Sequence, residues 1–185
     1  MRLFVAVPFP AEIKNQLGKL IDDWRKNGDK VGWVKKGNLH LTLKFLGETP
    51  FEHLEPLKSG LTENLRGETA FSFSLSGAGA FPNLNRPRVL WVGITEGKEK
   101  LANLAQKVGH ATMPLGFAPE ERGFSAHLTL GRVKDSRLSG GLLDKVRTCA
   151  FEAKNVIVSE VVLFQSELAP GGSIYTPLAS FELGK

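Results

Sequence analysis

The tetrapeptide HLTL occurs twice, at residues 40–43 and again at residues 127–130, 87 positions later. A repeat of that period constrains the fold before anything else does, because each copy must be a supersecondary unit that buries its apolar face against its neighbour. The surroundings repeat in step. A strand signal at residues 3–7 has its counterpart at 89–94, and helical periodicity follows each, at 11–26 and 98–112. After each HLTL copy comes another helical stretch, 52–65 and 137–147, and then a β-rich run, 71–75 and 156–164. The closing run, 174–183, is expected to complete the second sheet as 89–94 completes the first. Gly77, Gly79, residues 82–87 and the Gly171-Gly172 pair read as turns. The expected fold class is α+β: two pseudo-symmetric lobes with facing antiparallel sheets, helices outside and a central cleft, all one domain over residues 1–185.

Composition narrows the function classes. A hydrophobic content of 42% with 23% charged residues is that of an ordered globular chain. The apolar start is brief and broken by Pro8 and Pro10, and no later run approaches bilayer length, so neither a signal peptide nor a membrane span is expected. Cys149 is the one cysteine, which excludes an internal disulfide and a multi-thiolate metal site and fits a cytoplasmic location. The net charge of +5 favours an anionic partner such as RNA.

Strand parity turns the repeat into chemistry. Residues two apart share a face, so Leu39, Leu41 and Leu43 pack inward while His40, Thr42 and Lys44 point the other way. The same parity packs Phe124, Ala126, Leu128 and Leu130 and leaves Ser125, His127, Thr129 and Gly131 opposite. If the sheets face each other, two His-x-Thr pairs meet across one cleft. Two imidazoles can divide the roles of general base and general acid near neutrality. Threonine hydroxyls, aided by Lys44, can stabilise charge developing on phosphate oxygens. One strand histidine alone is most simply a structural residue; two at matching positions of a duplicated chain favour catalysis. His53 and His110 lack that context and read as ordinary surface or helix residues.

The paired motifs His40-Leu41-Thr42-Leu43 and His127-Leu128-Thr129-Leu130 resemble those of the two-histidine phosphoesterase superfamily. Within it, the opening RLFVAVP, the HLTLKFLG segment at 40–47, the GAFP turn at 79–82 and RPRVLW at 86–91 are similar to the bacterial and archaeal RNA 2',3'-cyclic phosphodiesterases, also called 2'-5' RNA ligases. So are the closing segments at 166–168 and 172–175. Ala126 departs from this pattern, standing where the family commonly has proline. The resemblance implies a two-lobed fold and hydrolysis of RNA 2',3'-cyclic phosphate ends to 2'-phosphomonoesters, with reverse 2'-5' ligation possible. It further implies His40 as proton donor, His127 as proton acceptor, Thr42 and Thr129 as phosphate holders, and Arg132 as a contact to the RNA end. No cofactor and no metal are called for. The expected partner is RNA with a cyclic phosphate end, tRNA fragments among the candidates, bound by a monomer. Strict alternation, however, places Arg132 on the leucine face.

Phe81, Trp33 and Trp91 are candidate base-stacking platforms, with core or rim packing as the alternative. Arg86, Arg88, Lys35, Lys36 and Arg122 form either a backbone-tracking patch or solvated charge. Two readings from other classes stand beside the enzyme. One is a non-catalytic RNA-end binding module; the other is a metallohydrolase, for which the sequence offers neither an HExxH motif nor a cysteine cluster.

Overall fold

The alternating burial expected for the two HLTL segments makes each a strand of its own sheet. The computed structural model describes residues 1–118, 123–135 and 137–185. In chain order the elements are β1 (Arg2–Pro8), α1 (Ala11–Arg25), β2 (Val31–Trp33), β3 (His40–Glu48), α2 (Leu54–Leu65), β4 (Phe71–Phe81) and β5 (Val89–Ile94). They continue as α3 (Lys98–Thr112), β6 (His127–Val133), α4 (Gly140–Arg147), β7 (Glu152–Val158), β8 (Glu160–Ala169) and β9 (Gly172–Glu182). One sheet has the order β3-β1-β8-β9 and the other β2-β6-β5-β4-β7. All pairings between these strands are antiparallel. The fold class is thus the expected α+β arrangement of two antiparallel sheets with helices packed on their apolar faces.

The halves are not self-contained, and here the structure corrects the sequence reading. The β1-α1-β3 unit recurs as β5-α3-β6, but β4 of the first half joins the sheet of the second motif. Conversely β8 and β9 join the first motif's sheet, so the closing run completes the first sheet and not the second. The cause lies in β1 and β5, central strands that need a neighbour on both edges. Local patterning marks the strands as buried but carries no information about which distant strand pairs with each edge.

Two boundaries also differ. The run at 156–164 divides at Ser159 into β7 and β8, which lie in different sheets. Burial changes with it: Val156 and Val158 are buried in alternation on β7, whereas Val161, Val162 and Leu163 are buried in succession on β8. The β-branched residues at both parities hide this in the sequence. β4 runs on through Gly77 and Gly79 instead of turning there. Gly77, at φ +64, is the extra residue of a bulge between Ser76 and Ala78, a conformation that glycine adopts without strain. Gly79 lies opposite Trp91, where a Cβ would come within 2.4 Å of the indole.

The core forms behind the two motif strands. Leu41, Leu43, Leu128 and Leu130 are all buried, against Leu17, Ile21 and Trp24 of α1 and Leu101, Leu104 and Val108 of α3. Helix α4 starts at Gly140, later than expected, because the Ser139 hydroxyl accepts the Leu142 amide at 3.2 Å and caps it there. The opposite faces of β3 and β6 are left for the cleft.

Candidate active site

Both motif strands carry the same irregularity. Along β3, Ala6 pairs with Thr42 and Val5 with Lys44, so Leu43 is an extra residue. Along β6, Trp91 pairs with Thr129 and Leu90 with Gly131, so Leu130 is extra. These two bulges occupy equivalent positions of the repeat. Each reverses the parity of the residues that follow it, as far as Phe45 on β3, where a second bulge at Leu46 intervenes, and to the end of β6.

The reversal settles where two expected site residues go. Lys44 does not share the face of His40 and Thr42. It pairs with Val5 of the core and is 4% exposed, and its Nζ donates to the Ala118 carbonyl at 2.6 Å, leaving it at the wall of the cleft. Arg132 moves the other way: it pairs with Val89 on the cleft face and, through the bulge, lines the cavity. By the same shift Phe45, the repeat equivalent of Arg132, faces the cleft.

A cavity of about 550 Å³ lies between the sheets and is lined by His40, Thr42, His127 and Thr129 together. Each histidine is held by the carbonyl two residues upstream. His40 Nδ1 lies 2.6 Å from the Asn38 oxygen and His127 Nδ1 2.7 Å from the Ser125 oxygen. A carbonyl only accepts, so Nδ1 carries the proton in both rings and Nε2 is the nitrogen free to exchange one. For His40 that nitrogen is 3.0 Å from the Thr42 hydroxyl. The Asn38 side chain in turn donates to the Ser173 carbonyl at 2.7 Å, tying the 3-10 turn Lys36–Asn38 to the start of β9.

The two rings live in different surroundings. His40 is enclosed by Phe4 at 4.8 Å, Tyr175 edge-on at 5.3 Å and Phe164 at 6.3 Å between centroids. That burial lowers its pKa from 6.5 to about 4, assisted by the Lys14 charge and opposed by the Asn38 hydrogen bond. His127 meets Phe81 edge-on at 4.9 Å, and Phe81 packs on Trp91 at 5.2 Å. Phe81 and Trp91 therefore buttress a histidine, and Trp33 packs on Trp24 at 6.3 Å. Lys35, Lys36, Arg86 and Arg88 are exposed. Arg122 lies outside the described residues. His53 is half-buried against Phe117 and His110 is exposed on α3, neither lining the cavity. Among the described residues, no group of three His, Cys, Asp or Glu side chains is placed to hold a metal ion. Phe4, Asn38, Phe45, Leu168 and Tyr175 are among the cavity residues that parity and periodicity did not single out.

Paired His-x-Thr motifs, presented on facing sheets with both histidines lining one cavity, define the class: a two-histidine phosphoesterase. The family model of LigT like phosphoesterases matches residues 7–91 and again 92–175, once for each copy of the repeat, and the chain belongs to that family. It is 35% identical over 184 residues to the RNA 2',3'-cyclic phosphodiesterase of Methanothermobacter thermautotrophicus, covering 99% of each chain. It is 39% identical over 183 residues to the protein of the same name in Archaeoglobus fulgidus, covering 98% of this chain and all of that one. Among solved structures, one from Thermus thermophilus superposes over the whole of both chains with a TM-score of 0.81 at 30% identity. E. coli LigT complexed with 3'-AMP gives 0.77 at 30% identity, covering 100% of this chain and 98% of that one.

Proposed function

We propose that this chain is an RNA 2',3'-cyclic phosphodiesterase that opens the cyclic ester by acid and base catalysis from His40 and His127, without a metal. The observation that carries this reading is the matched pair of imidazoles, each locked as the Nδ1–H form with Nε2 available to one cavity. A 2',3'-cyclic phosphate suits such a site because its leaving oxygen stays attached through the ribose and only protons need moving. His127 Nε2 accepts a proton from water as the water oxygen attacks phosphorus, and His40 Nε2 donates one to the departing O3', opposite the new bond. Thr42 and Thr129 offer hydroxyl donors to the non-bridging oxygens, and Arg132 a cationic contact to the RNA end.

With O3' leaving, the phosphate stays on O2' and the product is a 2'-phosphomonoester. A 5'-hydroxyl in place of water, with the steps reversed, would form a 2'-5' linkage. His40 as donor requires the bound phosphate's negative charge to offset the burial that holds its pKa near 4. That same depressed pKa favours a second reading, in which neutral His40 is the base and the product is a 3'-phosphate. Resolving the digest of a cyclic-phosphate-ended oligonucleotide against authentic standards decides between them. The expected product is the 2'-phosphate; a predominantly 3'-phosphate product assigns the roles the other way round.

The substrate class is RNA with a cyclic phosphate end, tRNA fragments being one source. The exchange of strands between sheets supports reading residues 1–185 as one two-lobed domain; action as a monomer is in keeping with a cavity whose two His-x-Thr pairs come from one chain. Among the described residues, no helix is long and apolar enough to cross a membrane; the single cysteine, whose burial raises its thiol pKa, is in keeping with cytoplasmic action.

A further inference from the structure

The cavity that holds the two histidines shares a wall with a second hollow. This one, of about 400 Å³, lies between α1 and the segment that follows β2, and Val34 lines both. On the helix side it is bounded by Lys19, Asp22 and Arg25, three residues apart in turn and so neighbours along the helix surface. On the other side stands Lys36, whose stem lies across Gly18 of α1: a Cβ at that glycine would meet Lys36 Cδ at 3.1 Å and Cγ at 3.3 Å. The glycine leaves room for the lysine stem. Three cations thus stand beside one acid. Asp22 lies 3.2 Å from Arg25, but the two are 68% and 56% exposed, and such a pair contributes little. Lys19 and Lys36 make no ion pair among the described residues. The positive charge continues toward the histidines. Lys35 lies against the Gly171-Gly172 turn at the rim, and the described residues lining the catalytic cavity include Arg2, Lys44 and Arg132 but no Asp or Glu.

We propose that the hollow between α1 and Lys36 is a second binding site for the substrate, holding backbone phosphates of the single-stranded RNA that leads to the cyclic end. The proposal rests on the cyclic-phosphate reading above. A strand leaving the catalytic cavity over Val34 meets these cations, and contacts to phosphate add affinity with length while carrying no base preference. Lys36, which the sequence left between backbone contact and solvated charge, belongs to the first.

The test measures initial rates over a range of salt for wild type, Lys19→Ala, Lys36→Met and the double variant. Lys36→Met keeps a stem over Gly18 and removes the charge. The substrates are a dinucleotide and a single-stranded dodecanucleotide, both ending in adenosine 2',3'-cyclic phosphate. Wild type should have the lower KM for the dodecanucleotide, and that KM should rise more steeply with salt. Each single variant should raise it at low salt and flatten the slope of log KM against log salt by about 0.7, the single-strand value for one phosphate contact, and the double variant by twice as much. With kcat unchanged, Lys36→Arg should behave as wild type. The dinucleotide, with a single backbone phosphate beside the cyclic end, should keep its KM in every protein, which also verifies that the variants fold. A wild-type KM that ignores length, an unaltered slope in the double variant, an equal change on the dinucleotide, or a Lys36→Arg that behaves like Lys36→Met would each overturn the proposal. If wild type opened neither substrate, the cyclic-phosphate reading itself would have failed, and this proposal with it.

Discussion

Burial gives His40 a cost that can be read in solution. In the unfolded chain an imidazole titrates near 6.5, whereas the folded environment lowers His40 to about 4. Between those values the unfolded form binds more protons, so this residue destabilises the fold as pH falls from 6.5 toward 4, by at most ~3 kcal/mol. Above pH 6.5 both forms are neutral and the contribution is flat. His40→Gln should remove this slope, which urea titrations at pH 4.5 and 7 would show as a smaller loss of stability on acidification than in wild type. An equal loss in the two proteins would mean that His40 is not held neutral. At this scale the sequence located most of the candidate site: His40, Thr42, His127 and Thr129, all drawn from repeat and parity, line one cavity. Strict alternation put Lys44 and Arg132 on the wrong faces, though the resemblance set Arg132 at the RNA end, because a bulge leaves no signature among residues as alike as Leu43 and Leu130.

Elements were legible where their period was strong. Helices at 11–26 and 98–112 end within a residue of α1 and α3, since a broad apolar stripe specifies both type and face. The strand β2 escaped because three residues carry no period. The continuation of β4 escaped because glycines mean turn or bulge equally well, and only the indole of Trp91 distinguishes them. That contact makes a prediction about His127. Gly79→Ala must displace Trp91, which packs on Phe81, which packs on the histidine. Overpacking of this kind costs about 1–3 kcal/mol, and kcat should fall with it. Denaturant unfolding and steady-state rates measure the two effects. A variant with wild-type stability and turnover would show that the Trp91-Phe81 buttress is dispensable.

Topology was the part of the molecule least visible in the sequence. The repeat announces two alike units, yet the strands that complete each sheet come from the other half of the chain. Pairing partners as distant in sequence as Val5 and Leu163 leave no local trace, and repeat logic favours the simpler arrangement of one sheet per half. The exchange has a consequence for stability. Neither half can complete its sheet alone, so the chain should unfold in one transition, with far-ultraviolet circular dichroism and tryptophan fluorescence tracing coincident curves in urea. Two separated transitions would mean that the lobes are independent.

In the proposed mechanism two histidines on facing sheets open a cyclic phosphate with no metal between them. That mechanism is tested most directly by turnover of an oligonucleotide ending in a 2',3'-cyclic phosphate, measured in EDTA for wild type, His40→Gln and His127→Gln. Wild type should open the ester at an undiminished rate. Each variant should lose at least about 10²-fold in kcat, the lower range for removing a general acid or base, with an unchanged circular dichroism spectrum. Activity that vanishes in EDTA and returns with a divalent metal, or a single histidine variant with near-normal turnover, would contradict the account.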